Sequence, residues 1–357
     1  MLTDLNFEEI KEYVKKIGLP AFRGEQIFDA IYSGKELQEI SNLPQALKDI
    51  ISADYPQYKI VQCLESKEDG TRKYIVQFAD NNIVECVLMK YKYGYTLCVS
   101  TQVGCRMGCK FCASTLHGLA RNLSAGEILG QVLLVNKALG GSRKNRMITN
   151  IVMMGSGEPL DNFDNVVKFI DLVSTGKGLN ISQRNISLST CGLVPQIYKL
   201  MEKDYNITLT ISLHATTDEK RAEIMPIANA YKISEIIKAC KDYYEKTNRR
   251  IYFEYTLIKG KNDSEEDVKR LAKLLKGFNC HINVIPLNSV KERELEGTTR
   301  LFAYKFVDKL KACGLSATVR RTMGEDIEGA CGQLRNKILR LKSNWLILFD
   351  IEIQRNF

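Results

Sequence analysis

The chain has no apolar run approaching the roughly 20 residues that a membrane-spanning helix needs, so no membrane partner is expected. Its first stretch, MLTDLNFEEIKEYVKK, is acidic and amphipathic and lacks the apolar h-region of a secretory leader. The expected localisation is therefore cytoplasmic, in a reducing medium. No Gly-x-Gly-x-x-Gly turn follows a strand-like run, which argues against a dinucleotide-binding sheet. There is no internal repeat and no low-complexity tract, and 357 residues suffice for one or two domains with a sizeable core. One further absence is local. GCRMGCKFCAST (104–115) holds three cysteines spaced C-x3-C-x2-C and no fourth. A disulfide consumes two thiols, and a structural zinc or iron–sulfur site normally takes four ligands.

What is present starts with eleven cysteines. In a reducing compartment these fit reduced, metal-bound or catalytic thiols better than a disulfide framework. Charge is uneven: residues 1–56 hold six Lys+Arg against ten Asp+Glu, whereas the remainder holds 45 against 32. A basic body favours a polyanion such as RNA or DNA, although scattered surface lysines would look the same. Arg143, Lys144, Arg146, Arg249 and Arg250 are candidates for phosphate contact.

Periodicity gives the fold class. Residues 7–51 suggest three or four short helices, broken at Gly18-Leu19-Pro20, Ser33-Gly34 and Asn42-Leu43-Pro44. YKIVQCLE, TRKYIVQFA, NIVECVLMK and YTLCVS (58–100) suggest an antiparallel meander. Strand-like runs then recur at 149–154, 185–189, 207–213, 251–258, 281–286 and 316–320. Helical patterns lie near 124–139, 162–173, 194–203, 232–246, 264–277 and 300–313. The alternation predicts an α/β protein: a partial β/α (TIM-like) barrel with a small N-terminal helical domain and an antiparallel β extension. The boundaries expected are 1–56 for the helices, 57–94 for the extension, 95–322 for the barrel, and 323–357 for a C-terminal loop and tail. Polar clusters fall where strands end, at Gly155-Ser156-Gly157-Glu158, Ser189-Thr190, Ser212-Leu213-His214 and Pro286-Leu287-Asn288.

Cys105, Cys109 and Cys112 follow the run YTLCVS, so they occupy a strand-end loop. Three thiolates can hold a [4Fe–4S] cluster at three irons and leave the fourth open to a ligand. Three unrelated cysteines, or a zinc site completed by His117, are the alternatives.

The C-x3-C-x2-C loop, with Phe111 before its last cysteine, resembles the hallmark of the radical S-adenosylmethionine (SAM) superfamily. Four stretches narrow the likeness: LCVSTQVGC (97–105), MGSGEPLDN (154–162), TISLHA (210–215) and EDIEGACGQL (325–334). Together they look like the RlmN/Cfr family of RNA adenine methyltransferases, and Pro159 with INVIPLN (282–288) is similar to its C2-methylating branch.

The resemblance implies a [4Fe–4S] cluster on Cys105, Cys109 and Cys112, and SAM, two per turnover, bound by Gly157, Glu158, Ser189, Ser212, Leu213, His214 and Asn288. It makes Cys331 the methyl carrier, Cys98 its resolving partner and Glu85 a proton acceptor. The implied substrates are an adenosine of the 23S rRNA peptidyl-transferase centre and the anticodon-adjacent adenosine of tRNA. An electron donor such as flavodoxin or ferredoxin and a monomeric state are expected with them. Carbon 2 of adenine is electron-poor, so the electrophilic sulfonium of SAM cannot methylate it directly; a thiol carrier answers that difficulty.

Read without the resemblance, Cys98 is first a packed strand residue, Glu85 a solvent-facing one and His214 a loop cap. Cys331 lies in a small-residue loop near Arg320 and Arg321, where cations favour a thiolate. Cys63, Cys86, Cys191, Cys240, Cys280 and Cys313 are expected to be structural. The rivals are C8 methylation by the same machinery and a non-catalytic iron–sulfur RNA-binding regulator.

Overall fold

The computed structural model describes residues 1–334; the tail in the expected 323–357 segment lies beyond residue 334, outside the described residues. Three helices open the chain, α1 (Phe7–Lys16), α2 (Phe22–Tyr32) and α3 (Gln45–Ile51). Asn6 caps α1 by accepting from the Glu8 and Glu9 N–H groups, and Glu9 returns the bond to the Asn6 N–H.

The meander follows as β1 (Lys59–Glu65), β2 (Arg72–Gln77), β3 (Ile83–Tyr91) and β4 (Gly94–Cys98), each antiparallel to the one before. After β4 come a short hairpin, β5 (Gln102–Gly104) and β6 (Leu119–Asn122), and helix α4 (Ala125–Ala138). The remaining elements alternate: β7 (Ile148–Met153), α5 (Phe163–Ser174), β8 (Ile186–Thr190), α6 (Val194–Met201), β9 (Thr208–Ser212), α7 (Asp218–Ile224), α8 (Ile233–Thr247), β10 (Ile251–Leu257), α9 (Glu265–Leu274), β11 (Cys280–Pro286), α10 (Arg300–Ala312) and β12 (Ala317–Val319). All six expected crossover helices are present; α7 and the β5–β6 hairpin were not foreseen.

One ten-stranded sheet runs in the order β1-β2-β3-β4-β7-β8-β9-β10-β11-β12. From β4 to β12 every neighbour is parallel. β1 and β12 are its two edges, so the seven parallel strands make the predicted partial barrel, with the meander extending its first edge.

α4 joins the N-terminal helices to the barrel. It is apolar on nearly every side because it is covered on nearly every side. Gly126 admits the Thr3–Asp4 backbone so closely that an added Cβ would lie 2.8 Å from it, and the Gly126 N–H donates to Asp4 Oδ1 at 2.6 Å. Leu2, Ile10, Phe28 and Tyr32 consequently share one hydrophobic core with the barrel strands. Among the described residues no helix is long and apolar enough to cross a membrane.

After β12 the chain turns back across the open side of the sheet. The Gly324 N–H donates to Asp69 Oδ2 (3.0 Å), the Lys67 N–H donates to Asp326 Oδ2 (3.1 Å), and Lys73 Nζ donates to the Glu328 carbonyl (3.2 Å). This strap ends against the cysteine loop. Ala113 N–H donates to Gly332 O (2.7 Å) and Ser114 Oγ to Leu334 O (2.9 Å). Cys331 is thereby delivered to the barrel from outside it.

Candidate active site

An open cavity lies at the carboxyl ends of the parallel strands. Its wall carries Cys105, Cys109 and Cys112 on one side, Gly157, Glu158, Ser189, Ser212 and His214 on another, and Asn288 and Cys331 on a third. Residues up to 226 positions apart in sequence thus meet, from Cys105 to Cys331. Leu213 is the exception: its side chain is fully buried in the core, and its carbonyl accepts from Arg221 Nε at 3.1 Å.

The three thiols raise one another's cost of ionisation. Burial pushes Cys105 up to about 12 and Cys109 well above the ordinary range, and the neighbouring cysteines add to both. Such a group of thiols releases its protons only to a body of high positive charge. Arg221 supplies a second indication. It is fully buried on α7, its Nη2 donates to Cys191 O (2.6 Å) and Ser212 O (3.1 Å), and its Nη1 has no partner. The donor set and this orphaned cationic N–H both fit an iron–sulfur cluster held by thiolates. His117 is exposed and absent from the cavity wall, so the zinc alternative is not supported. Among the described residues no three His, Cys, Asp or Glu side chains converge as ligands of one ion.

Glu158 is 4% exposed. Its Oε1 accepts from Leu160 N–H (3.0 Å) and its Oε2 from Cys191 N–H (2.8 Å). Burial raises its pKa, against the pull of those N–H groups. A carboxylate so fixed is a receptor for an ammonium group. Gln102, which was not singled out from the sequence, sets its backbone: Oε1 accepts from Glu158 N–H at 2.9 Å while Nε2 donates to Asp161 Oδ2 at 2.9 Å. Gly157 is needed there, since its φ is +109° and a Cβ would lie 2.7 Å from that of Gln102.

His214 occupies a left-handed backbone position (φ 55°). Its Nδ1 accepts from Thr256 N–H at 3.0 Å, which leaves Nε2 as the protonated nitrogen. Burial, and then the Arg221 charge, lower its pKa to about 3. It is therefore a neutral donor at physiological pH, edge-on to Phe111 with ring centroids 4.8 Å apart. The unfolded chain binds this proton below about pH 6.5 and the folded chain resists it until about pH 3. Folding stability should therefore fall as pH drops through that window, by a few kcal/mol at most. Replacing His214 by Asn should flatten the acid limb of a denaturation-versus-pH profile.

Cys331 also lines a second, smaller cavity with Val87, Met89, Cys98, Val152 and Met154. Asn288 Nδ2 donates to the Cys331 carbonyl (3.0 Å), and Gln333 Nε2 donates to Ser289 O (3.0 Å), which fixes the loop. Between the two cavities stands Arg320, paired to Glu254 at 3.1 Å and donating to Met154 Sδ at 3.4 Å. Arg320 and Cys331 line both cavities together, which puts this cation beside the carrier loop as its sequence position suggested. Burial, with Cys331 adding, pushes Cys98 up to about 12.

Glu85 is not solvent-facing. Its carboxylate pairs with Lys73 Nζ at 3.2 Å, and both side chains are 2% exposed. Lys73, Val87 and Cys98 are directly opposed across β2, β3 and β4, so they share one face, and Glu85 is one pleat away on it.

Cys191, taken as structural, lines the main cavity. Four of the five basic residues expected to meet phosphates, Arg143, Arg146, Arg249 and Arg250, make contacts within the fold at the amino ends of β7 and β10. Arg143 Nε donates to Asp29 Oδ1 (2.7 Å), Arg146 Nη1 to Leu179 O (3.0 Å), Arg249 Nη2 to Thr208 Oγ1 (3.2 Å) and Arg250 Nη2 to Cys280 O (3.1 Å).

Residues 99–275 match the family model described as the radical SAM superfamily. The chain is 54% identical over 347 residues to a protein of Clostridium perfringens named a probable dual-specificity RNA methyltransferase RlmN, covering 96% of this chain and 98% of that one. A protein of the same name from Clostridium beijerinckii is 50% identical over 343 residues, covering 95% of each. The crystal structure of a radical SAM methyltransferase from Sphaerobacter thermophilus superposes with a TM-score of 0.89 at 38% identity, over 94% of this chain and 98% of that one. The chain belongs to the radical SAM superfamily and, within it, to the RlmN family of RNA methyltransferases.

Proposed function

We propose that the protein methylates carbon 2 of an adenosine in 23S rRNA and in tRNA, in the cytoplasm, using Cys331 as methyl carrier and Cys98 to release the product. The observation that carries this is the position of Cys331. It stands on the wall of the cavity with the three-cysteine loop and also on the wall of the cavity with Cys98. A carrier must be reached from the SAM side to be loaded and from the thiol side to be freed.

Cys105, Cys109 and Cys112 would hold the cluster, and Glu158, Ser189, Ser212, His214 and Asn288 offer SAM a carboxylate, hydroxyls, a neutral imidazole donor and an amide. The cluster, when bound, supplies the electron that lets SAM yield a carbon radical able to take a hydrogen atom from a methyl group. Cys331 accepts a methyl on sulfur, with the Arg320 guanidinium lining the same two cavities. After that methyl loses a hydrogen atom, its carbon radical adds to carbon 2 and ties Cys331 to the RNA; the adduct radical then gives up the ring proton and one electron, which the oxidised cluster would accept. Glu85 is assigned the role of proton acceptor, with Lys73 stabilising its charge. The Cys98 sulfur then attacks the Cys331 sulfur: an S–S bond forms, the C–S bond breaks, and the released carbon takes a proton to become the product methyl. A two-electron reductant restores both thiols.

Replacing any one of Cys105, Cys109 or Cys112 by Ala should abolish bound iron and SAM cleavage together. Iron analysis and visible absorbance after anaerobic reconstitution check this, and full iron in a single variant would show the ligands to be misassigned.

A further inference from the structure

We infer that Tyr91 and Tyr93 form a stacking platform for an RNA base beside the reacting adenosine; the inference rests on the RNA methyltransferase assignment above. The turn from β3 into β4 is Tyr91-Lys92-Tyr93-Gly94. The two tyrosine rings stack with centroids 5.1 Å apart and planes within 5°. Tyr93 is 64% exposed, the most exposed aromatic ring among the described residues that are large and apolar. Tyr91 reaches inward and lines the second cavity together with Cys98, Arg321 and Cys331. The pair therefore runs from the carrier cysteine out to solvent.

A ring left this open contributes little to folding, since the gain from an aromatic side chain comes from removing its surface from water. Its surroundings suit a polyanion with flat bases. Lys90 and Lys92 stand on either side of Tyr91, both exposed. Arg321, also exposed, adds a third cation to the rim of the same cavity.

The chemistry demands such a feature. An adenine reaches Cys331 only after leaving its stack, which strands its neighbour without a partner. Proteins that bind unstacked RNA commonly replace the lost base by an aromatic side chain. Tyr93, already backed by Tyr91, presents a ring that needs no reorganisation to accept the flanking base.

The test uses the reconstituted full chain, with a labelled single-stranded RNA containing one adenosine as probe. Tyr93→Ala should weaken RNA binding by roughly 5- to 150-fold, the range expected for one lost base–aromatic stack. Tyr93→Trp should restore it. Tyr93→Ala should leave the salt dependence unchanged, because no phosphate contact is lost, whereas Lys92→Ala should reduce the log–log salt slope by about 0.7. Bound iron and RNA-free SAM cleavage should be unaltered in all three. Equal affinity of Tyr93→Ala and wild type, or a Trp variant as weak as the Ala variant, would overturn the platform. So would normal RNA affinity with slowed reduction by a flavodoxin, which would assign the turn to the electron donor. A wild-type protein that methylates no RNA would instead overturn the methyltransferase assignment itself, and the platform with it.

Discussion

Replacing Cys98 by Ala should leave the enzyme covalently attached to RNA. Loading of Cys331, hydrogen abstraction and addition to the ring need no second thiol, so the variant should proceed to the adduct and stop. Purified from cells, it should show a high-mass species on a denaturing gel that nuclease removes. Cys331→Ala should give neither adduct nor methylated RNA, and the double variant should match Cys331→Ala because the carrier acts first. The geometry makes the test sharp. Cys98 is 7% exposed and packs with Val87 and Leu334, so a purely structural cysteine at this place would give a less stable protein with no trapped RNA. An adduct that persisted in the double variant would remove Cys331 from the carrier role.

The second large effect concerns the Lys73–Glu85 pair. Breaking a buried ion pair by removing one partner typically costs about 3–5 kcal/mol, because the other charge is left in the interior without compensation. Lys73→Met should therefore be strongly destabilising in chemical denaturation, with Glu85→Ala similar. Replacing both by apolar residues, Lys73→Met with Glu85→Leu, should recover most of that stability. Activity separates structure from chemistry. If Glu85 takes the ring proton, the stable double variant remains unable to complete methylation; full activity in that variant would make the pair structural only.

How much of this was legible beforehand follows from the distance over which each signal acts. The alternation of strand and helix, the meander and the strand-end clusters are local patterns, and the six crossover helices appear where periodicity put them. α7 was missed because DEKRAEI has almost no apolar stripe. It buries a charged residue, Arg221, with Ile224, and only the cap at Thr217 marks its start. The β5–β6 hairpin has strands of three and four residues, too short for a period of two to show.

The site divides the same way. Three cysteines within eight residues advertise themselves. Gln102, Arg221 and the Glu254–Arg320 pair do not, because their roles arise from contacts across 56, 30 and 66 residues. Cys191 could not be told from the buried cysteines Cys86 and Cys240 without knowing which strand end it occupies. That Arg143, Arg146, Arg249 and Arg250 bond within the fold at the amino ends of strands was not legible either, because clustered charge in a sequence does not say which end of a barrel it decorates.

The central claim is that carbon reaches the RNA by way of Cys331, and one measurement tests it most directly. Reconstituted protein, reductant and an adenosine-containing 23S rRNA fragment are incubated anaerobically with SAM bearing a fully deuterated methyl group, and the modified adenosine is examined by mass spectrometry and NMR. Passage through a Cys331-bound carbon that loses one hydrogen atom predicts a methyl group on carbon 2 that retains two deuterium atoms and has gained one hydrogen. A product methyl with all three deuterium atoms would mean direct transfer from SAM, and would contradict the account.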